Sequence, residues 1–250
     1  MRKKLPRIAA LAGLLLTFLL RAATAAATSD EALARLFSEA GDDCLGGRYE
    51  AAAHRYHEIL DRGFVSPELY YNLGTVYLAG GDPGRAVLSF RRAWHLGSRD
   101  AGLARNLGVA LQRCGARAPA EGPLLAASHL LRASEWAGLA LAAYWIGLGT
   151  LVLRRWRQSI APVMPAAALI LSLALAGFAY ARFSESRHEA VVITGPQDVR
   201  LAPTPNARST TSLPEGSVVR IVYRGGEWVR VTCGEQNGWI PAASVERVTP

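Results

Sequence analysis

The chain has 250 residues, 50 % of them hydrophobic, and a formal net charge of +8; its length admits one large domain or two or three small ones. The charge is +5 in residues 1–27, zero in 28–120, +2 in 121–190 and +1 in 191–250, which argues against a nucleic-acid partner, because such a protein concentrates basic charge on one folded face. Cys44, Cys114 and Cys233 form neither a C-x-x-C pair nor a zinc spacing and are too few for a disulfide framework, so they read as small apolar side chains.

Residues 1–27 have the three parts of a secretory signal. Arg2, Lys3, Lys4 and Arg7 precede an apolar run from Ile8 to Leu20, and Ala22–Ala27 supply small residues for cleavage. Arg21 interrupts the pattern, and an uncleaved anchor is the alternative. Either way the following residues are expected on the outer side of a membrane.

Residues 28–120 repeat themselves. Tyr71-Asn72-Leu73-Gly74 and Arg105-Asn106-Leu107-Gly108 share Asn-Leu-Gly 34 residues apart, and Gly47, Gly81 and Gly115 keep the same spacing, as do Ala52 with Ala86 and Tyr56 with Phe90. Gly74 and Ala86 allow two helices to approach closely, Tyr77 and Phe90 fill the space between them, and Asp82-Pro83 reads as an N-cap followed by the first helical residue. The pattern resembles the tetratricopeptide repeat, whose period is 34 residues, with two full copies and one partial one. The first copy departs at Ala40 and Asp43. In the third, the second helix is expected to be absent or replaced by Leu124–Ser134. The resemblance implies a peptide-holding groove lined by each repeat's first helix, with Tyr71, Asn72, Arg105 and Asn106 as candidate contacts, since an amide side chain bonds both donor and acceptor of an extended peptide. Alternatively the asparagines tie neighbouring helices together. His54, His57 and Glu58 share a helix face but offer no further ligand, so no metal is expected.

Residues 121–136 read as a linker or capping helix. Residues 137–153 and 160–181 carry no charged side chain and are long enough for membrane helices. Between them, 154–159 carries Arg154, Arg155 and Arg157, which places that loop in the cytoplasm. Both large flanking regions then lie outside, with 182–190 as a linker. The alternative is a pair of core helices in a soluble protein.

From residue 191 to 250 the texture changes to short alternating strands and turns. The order Val199-Arg200-Leu201-Ala202-Pro203, Leu213-Pro214-Glu215-Gly216, Trp228-Val229-Arg230-Val231 and Gly238-Trp239-Ile240-Pro241 resembles the bacterial SH3 (SH3b) domain. It implies a barrel of five or six strands with Val219, Ile221, Val229, Val231 and Ile240 in its core. Tyr223, Trp228 and Trp239 are candidates for an aromatic groove for extended peptides, including cell-wall peptides. The alternative reading makes Trp239 a core residue and leaves Trp228 half exposed.

The expected fold class is therefore multidomain: α-helical repeats, a two-helix transmembrane hairpin and a small all-β SH3-like barrel. This module order resembles the BatE-type proteins of bacterial aerotolerance operons. That resemblance implies a role beside membrane proteins with von Willebrand A domains and a MoxR-type ATPase. No phosphate loop, nucleophile elbow or H-E-x-x-H occurs, so no enzymatic activity and no cofactor are expected. The expectation is a membrane-anchored protein-interaction scaffold of the bacterial cytoplasmic membrane, with the repeats and SH3b module on the periplasmic side. Peptidoglycan binding or sensing is the alternative.

Overall fold

A computed structural model describes residues 31–98, 100–117, 131–156 and 163–249. Residues 1–30, which include the expected signal segment, and residues 118–130 and 157–162 lie outside them. The chain divides into two compact units at Val65/Ser66.

The first unit holds α1 (31–45) and α2 (Tyr49–Asp61). Phe37 meets Tyr56 edge-on at 5.6 Å, and Ala40, Ala52, Tyr56 and Ile59 are buried. Asp43 is also buried, and explains how an acid can stand where the repeat pattern expects an aromatic. Its carboxylate accepts from Arg55 Nε at 2.7 Å and Arg48 Nε at 2.8 Å. Hydrogen bonds from Arg55 and then Arg48 hold it below the usual carboxylate range.

The second unit begins with α3 (Pro67–Gly80), α4 (Pro83–His95) and α5 (Ala101–Cys114). Each start is capped: Ser66 accepts from the Leu69 amide, Asp82 from Arg85 and Asp100 from Gly102, satisfying amides that the first turn leaves without a partner. The 34-residue period is written in the backbone. Gly47, Gly81 and Gly115 have φ of 74°, 85° and 68°, and Gly63 and Gly97, again 34 apart, have 83° and 82°. A side chain would strain this left-handed conformation. Gly74 lets α3 close onto α4, because a Cβ there would lie 2.7 Å from the buried Phe90 ring.

Two apolar helices follow, α6 (Ala133–Trp156) and α7 (Val163–His188). Trp136 stacks on Phe178 at 4.9 Å, Ser172 Oγ donates to the Ala140 carbonyl, and Gly147 leaves room for Leu169. Ala133–Arg155 and Val163–Ala181 are long and apolar enough to cross a membrane, and only 17 % and 6 % of these stretches is buried. The helices overrun the spans read from sequence at both outer ends. In particular, 182–190 is no linker: α7 continues to His188 and β1 starts at Glu189, two residues before the expected start of the β module.

The β module is a seven-stranded antiparallel sheet rather than one of five or six: β1 (Glu189–Val192), β2 (Gln197–Arg200), β3 (Ser209–Leu213), β4 (Val218–Gly225), β5 (Trp228–Cys233), β6 (Gln236–Pro241) and β7 (Val245–Arg247), in the order β3-β2-β6-β5-β4-β1-β7. All five expected core residues are buried, joined by Ala190, Val192, Val199 and Leu213. Each of the valine, leucine and isoleucine side chains contributes roughly 1.5–3 kcal/mol on burial.

Helix α4 is buried on two sides. Ala86, Phe90 and Ala93 carry the face toward its helical neighbours, and Gly84, Val87, Arg91 and His95 form a second stripe at helical spacing that meets the β module. Arg91 donates to both oxygens of Glu189 at 2.5 and 2.8 Å, and His95 Nε2 is hydrogen-bonded to the same carboxylate at 2.9 Å. Arg92 donates to the Val248 and Arg247 carbonyls and to Glu246. The Gly84 amide donates to Glu215, and Cys114 lies against Gly216. Burial alone would raise the Glu189 pKa, but bonds from His95 and Arg91 outweigh it and bring it down to about 2.

Candidate functional site

Strand alternation decides which side chains share a face. In β5, Val229 and Val231 point into the core, so Trp228 and Arg230 point outward; in β6, Gly238 and Ile240 are buried and Trp239 faces out. In β4 an irregularity between Ile221 and Tyr223 shifts the register and brings Tyr223 opposite Arg230. Arg230 pairs onward with Trp239, and Trp239 with Arg200 of β2. One row across four strands thus reads Tyr223, Arg230, Trp239, Arg200. The adjacent row reads Gly225, Trp228, Pro241.

The rings are organised. Tyr223 meets Trp239 edge-on at 5.9 Å and 80°, and the Arg200 guanidinium lies over the Trp228 ring at 5.8 Å. Gly225 leaves the space that the Tyr223 ring occupies, since a Cβ there would lie 2.8 Å from its Cε1. Tyr223 remains 59 % exposed. Arg200, Arg220 and Arg230 have no acidic partner among the described residues. The contacts with α4 use Glu189, Glu215, Gly216, Glu246 and Val248, so they leave this face open.

The family model described as "Bacterial SH3 domain" matches residues 197–246 of the β module. Residues 197–246 are a bacterial SH3 domain. No curated protein matches the chain. Strand β1, which carries Glu189, precedes the matched stretch, so the contact with α4 uses a strand outside it.

The structure brings Tyr223, Trp228 and Trp239 of the SH3 domain onto one outer face. Trp239 is half-buried there rather than a core residue. Sequence reasoning missed Arg200 and Arg230 as members of this face. The W-V-R-V alternation carries the signal for Arg230; Arg200 needed the β2–β6 pairing.

The repeat-groove candidates divide. Asn106 Nδ2 donates to the Tyr71 hydroxyl at 3.1 Å, and Tyr71 tilts against Phe90 at 6.0 Å. These two side chains tie α5 to α3 and α4. The Asn72 side chain is half-buried and makes no hydrogen bond among the described residues, and Arg105 is exposed. Of the histidine cluster, Glu58 is engaged by Arg62 at 2.6 Å. All three cysteines are free thiols. Burial, then the Glu215 and Asp82 carboxylates, push the Cys114 thiol up to about 11.

Proposed function

We propose that this protein is a non-enzymatic, membrane-anchored interaction scaffold: α6 and α7 span the bacterial cytoplasmic membrane, and the helical repeats and SH3 domain lie together on its periplasmic side. The observation that carries the reading is the open aromatic and arginine face of an SH3 domain that is fastened to α4 and continuous with α7. Bacterial SH3 domains commonly bind peptidoglycan or mediate protein interactions, and a face fixed beside a membrane hairpin suits a partner held in the same membrane.

In this reading, α1–α5 are tetratricopeptide repeats. Docking of the SH3 domain covers one side of α4 and leaves Asn72 and Arg105 on the first helices for a second contact. The module order supports a partner like those of the aerotolerance operons, membrane proteins with von Willebrand A domains. Arg154 and Arg155 at the end of α6 support the orientation, because short basic loops stay in the cytoplasm. A cysteine introduced at Ser159 is then labelled by an impermeant maleimide only after the membrane is opened.

The test is crosslinking and recovery from native membranes, comparing the intact protein with Tyr223→Ala/Trp228→Ala and with Asn72→Ala. Specific membrane proteins recovered with the parent and lost with either variant support the scaffold. Recovery no greater than from an unrelated membrane protein refutes it. The second reading, wall binding, rests on the same SH3 domain and predicts that the protein sediments with purified peptidoglycan in a Trp228-dependent manner.

A further inference from the structure

The aromatic face has a charge pattern that narrows its partner. Along the row Tyr223, Arg230, Trp239, Arg200, cation and ring alternate from strand to strand. Neither arginine is neutralised by an acid among the described residues, whereas Arg91 and Arg92 on α4 are both engaged by carboxylates. A guanidinium that folding leaves without a counter-charge, held beside a ring, is preorganised for a carboxylate, which it takes in bidentate fashion.

Neighbouring strands lie about 4.8 Å apart, so Arg230 and Arg200 stand about 10 Å apart with Trp239 between them. A peptide in the polyproline II conformation advances about 3.1 Å per residue with three residues per turn, so carboxylates three residues apart share one edge and span about 9 Å. We infer that the face takes an acidic segment of a protein partner in the polyproline II conformation, with two carboxylates three residues apart on Arg230 and Arg200 and an intervening apolar side chain against Trp239 and Tyr223.

This inference rests on the reading of the face as a binding surface and adds the chemistry of its partner. A lipid headgroup is a single anion and would draw nothing from the alternation of rings and cations. Glycan rings stack on aromatics but leave cations without counter-charges. The acidic peptide uses both features of the row.

The experiment uses the intact protein in phosphatidylcholine nanodiscs. Two libraries of capped hexapeptides are passed over it, one with glutamate fixed at positions 2 and 5, the other with glutamine there, all other positions being mixed. The glutamate library is expected to be retained at least about tenfold better, the size of one charge-assisted hydrogen bond. That preference falls to parity in Arg200→Gln/Arg230→Gln. In Arg200→Glu/Arg230→Glu it reverses toward a third library with lysine at the two positions, a gain that a misfolded variant would not show.

Equal retention of the glutamate and glutamine libraries, lost in Trp228→Ala, would overturn the acidic partner while keeping the face as a peptide site. Retention of neither library, with binding to purified peptidoglycan or to phosphatidylglycerol vesicles that depends on Arg200 and Arg230, would assign the arginines to those ligands and overturn the inference. No binding of any probe would remove both the inference and the reading beneath it.

Discussion

Arg91→Ala tests whether the SH3 domain is truly fastened to the helical layer. Arg91 is 4 % exposed and Glu189 6 %, and two hydrogen bonds of 2.5 and 2.8 Å join them. Removing one partner of such a buried pair leaves an uncompensated charge, which costs about 3–5 kcal/mol. His95 still bonds the carboxylate at 2.9 Å, so the lower end, about 3 kcal/mol, applies. At 1.36 kcal/mol per decade, the open form becomes on the order of a hundredfold more populated. Cys114 reports it, because its thiol lies against Gly216 in this contact and is pushed up to about 11 chiefly by burial there. In a Cys44→Ser/Cys233→Ser background, alkylation of Cys114 in the intact protein is expected to accelerate by up to that factor. Arg91→Met/Glu189→Leu, which removes both charges, restores most of the protection. An Arg91→Ala rate within about twofold of the parent would show that the pair does not hold the domains together, since a cost of that size cannot leave the population unchanged.

Three further outcomes are expected. Glu189 titrates at about 2 against an ordinary 4.5, so its stabilisation of the contact is fully present above about pH 4.5 and is lost as pH falls toward 2; near-ultraviolet circular dichroism of the intact protein should change across that interval, and Glu189→Gln should remove the change. Gly74→Ala places a methyl 2.7 Å from the Phe90 ring, which is fully buried and cannot recede, and should destabilise the helical layer by about 1–3 kcal/mol in chemical denaturation. Gly238→Ala places its methyl 2.7 Å from the Arg200 carbonyl oxygen and 2.5 Å from Val199; it should force β2 from β6, shift tryptophan emission as the outer face loosens, and weaken ligand binding there.

Local patterns in the sequence carried much of this architecture. The recurring glycines mark helix ends because a left-handed residue at a fixed position is a local requirement. The period-two alternation around Val229 and Val231 located the SH3 core. What escaped was non-local. Arg91 and Glu189 are 98 positions apart and Arg92 and Val248 are 156 apart, and no periodicity on α4 distinguishes an arginine that meets a carboxylate from one that meets water. Arg200 joined the candidate site only through strand pairing. The supposed linker read as such because Arg182, Glu185 and Arg187 are polar, yet the helix runs on through them to His188. Asn106, singled out as a ligand contact, bonds Tyr71, a partner that only the packing of α5 on α3 supplies.

The joint between α7 and β1 has no slack: His188 ends the helix and Glu189, the next residue, is already held by Arg91 and His95. Such a joint behaves as a crank. Adding one residue to α7 turns everything beyond it by about 100° and moves it about 1.5 Å, which carries Glu189 out of phase with α4, whereas adding a nearly whole number of turns keeps the phase and changes only the reach. The length of the second apolar helix is therefore set by angle as well as by reach, and rotation of that helix about its own axis is delivered directly to the SH3 domain.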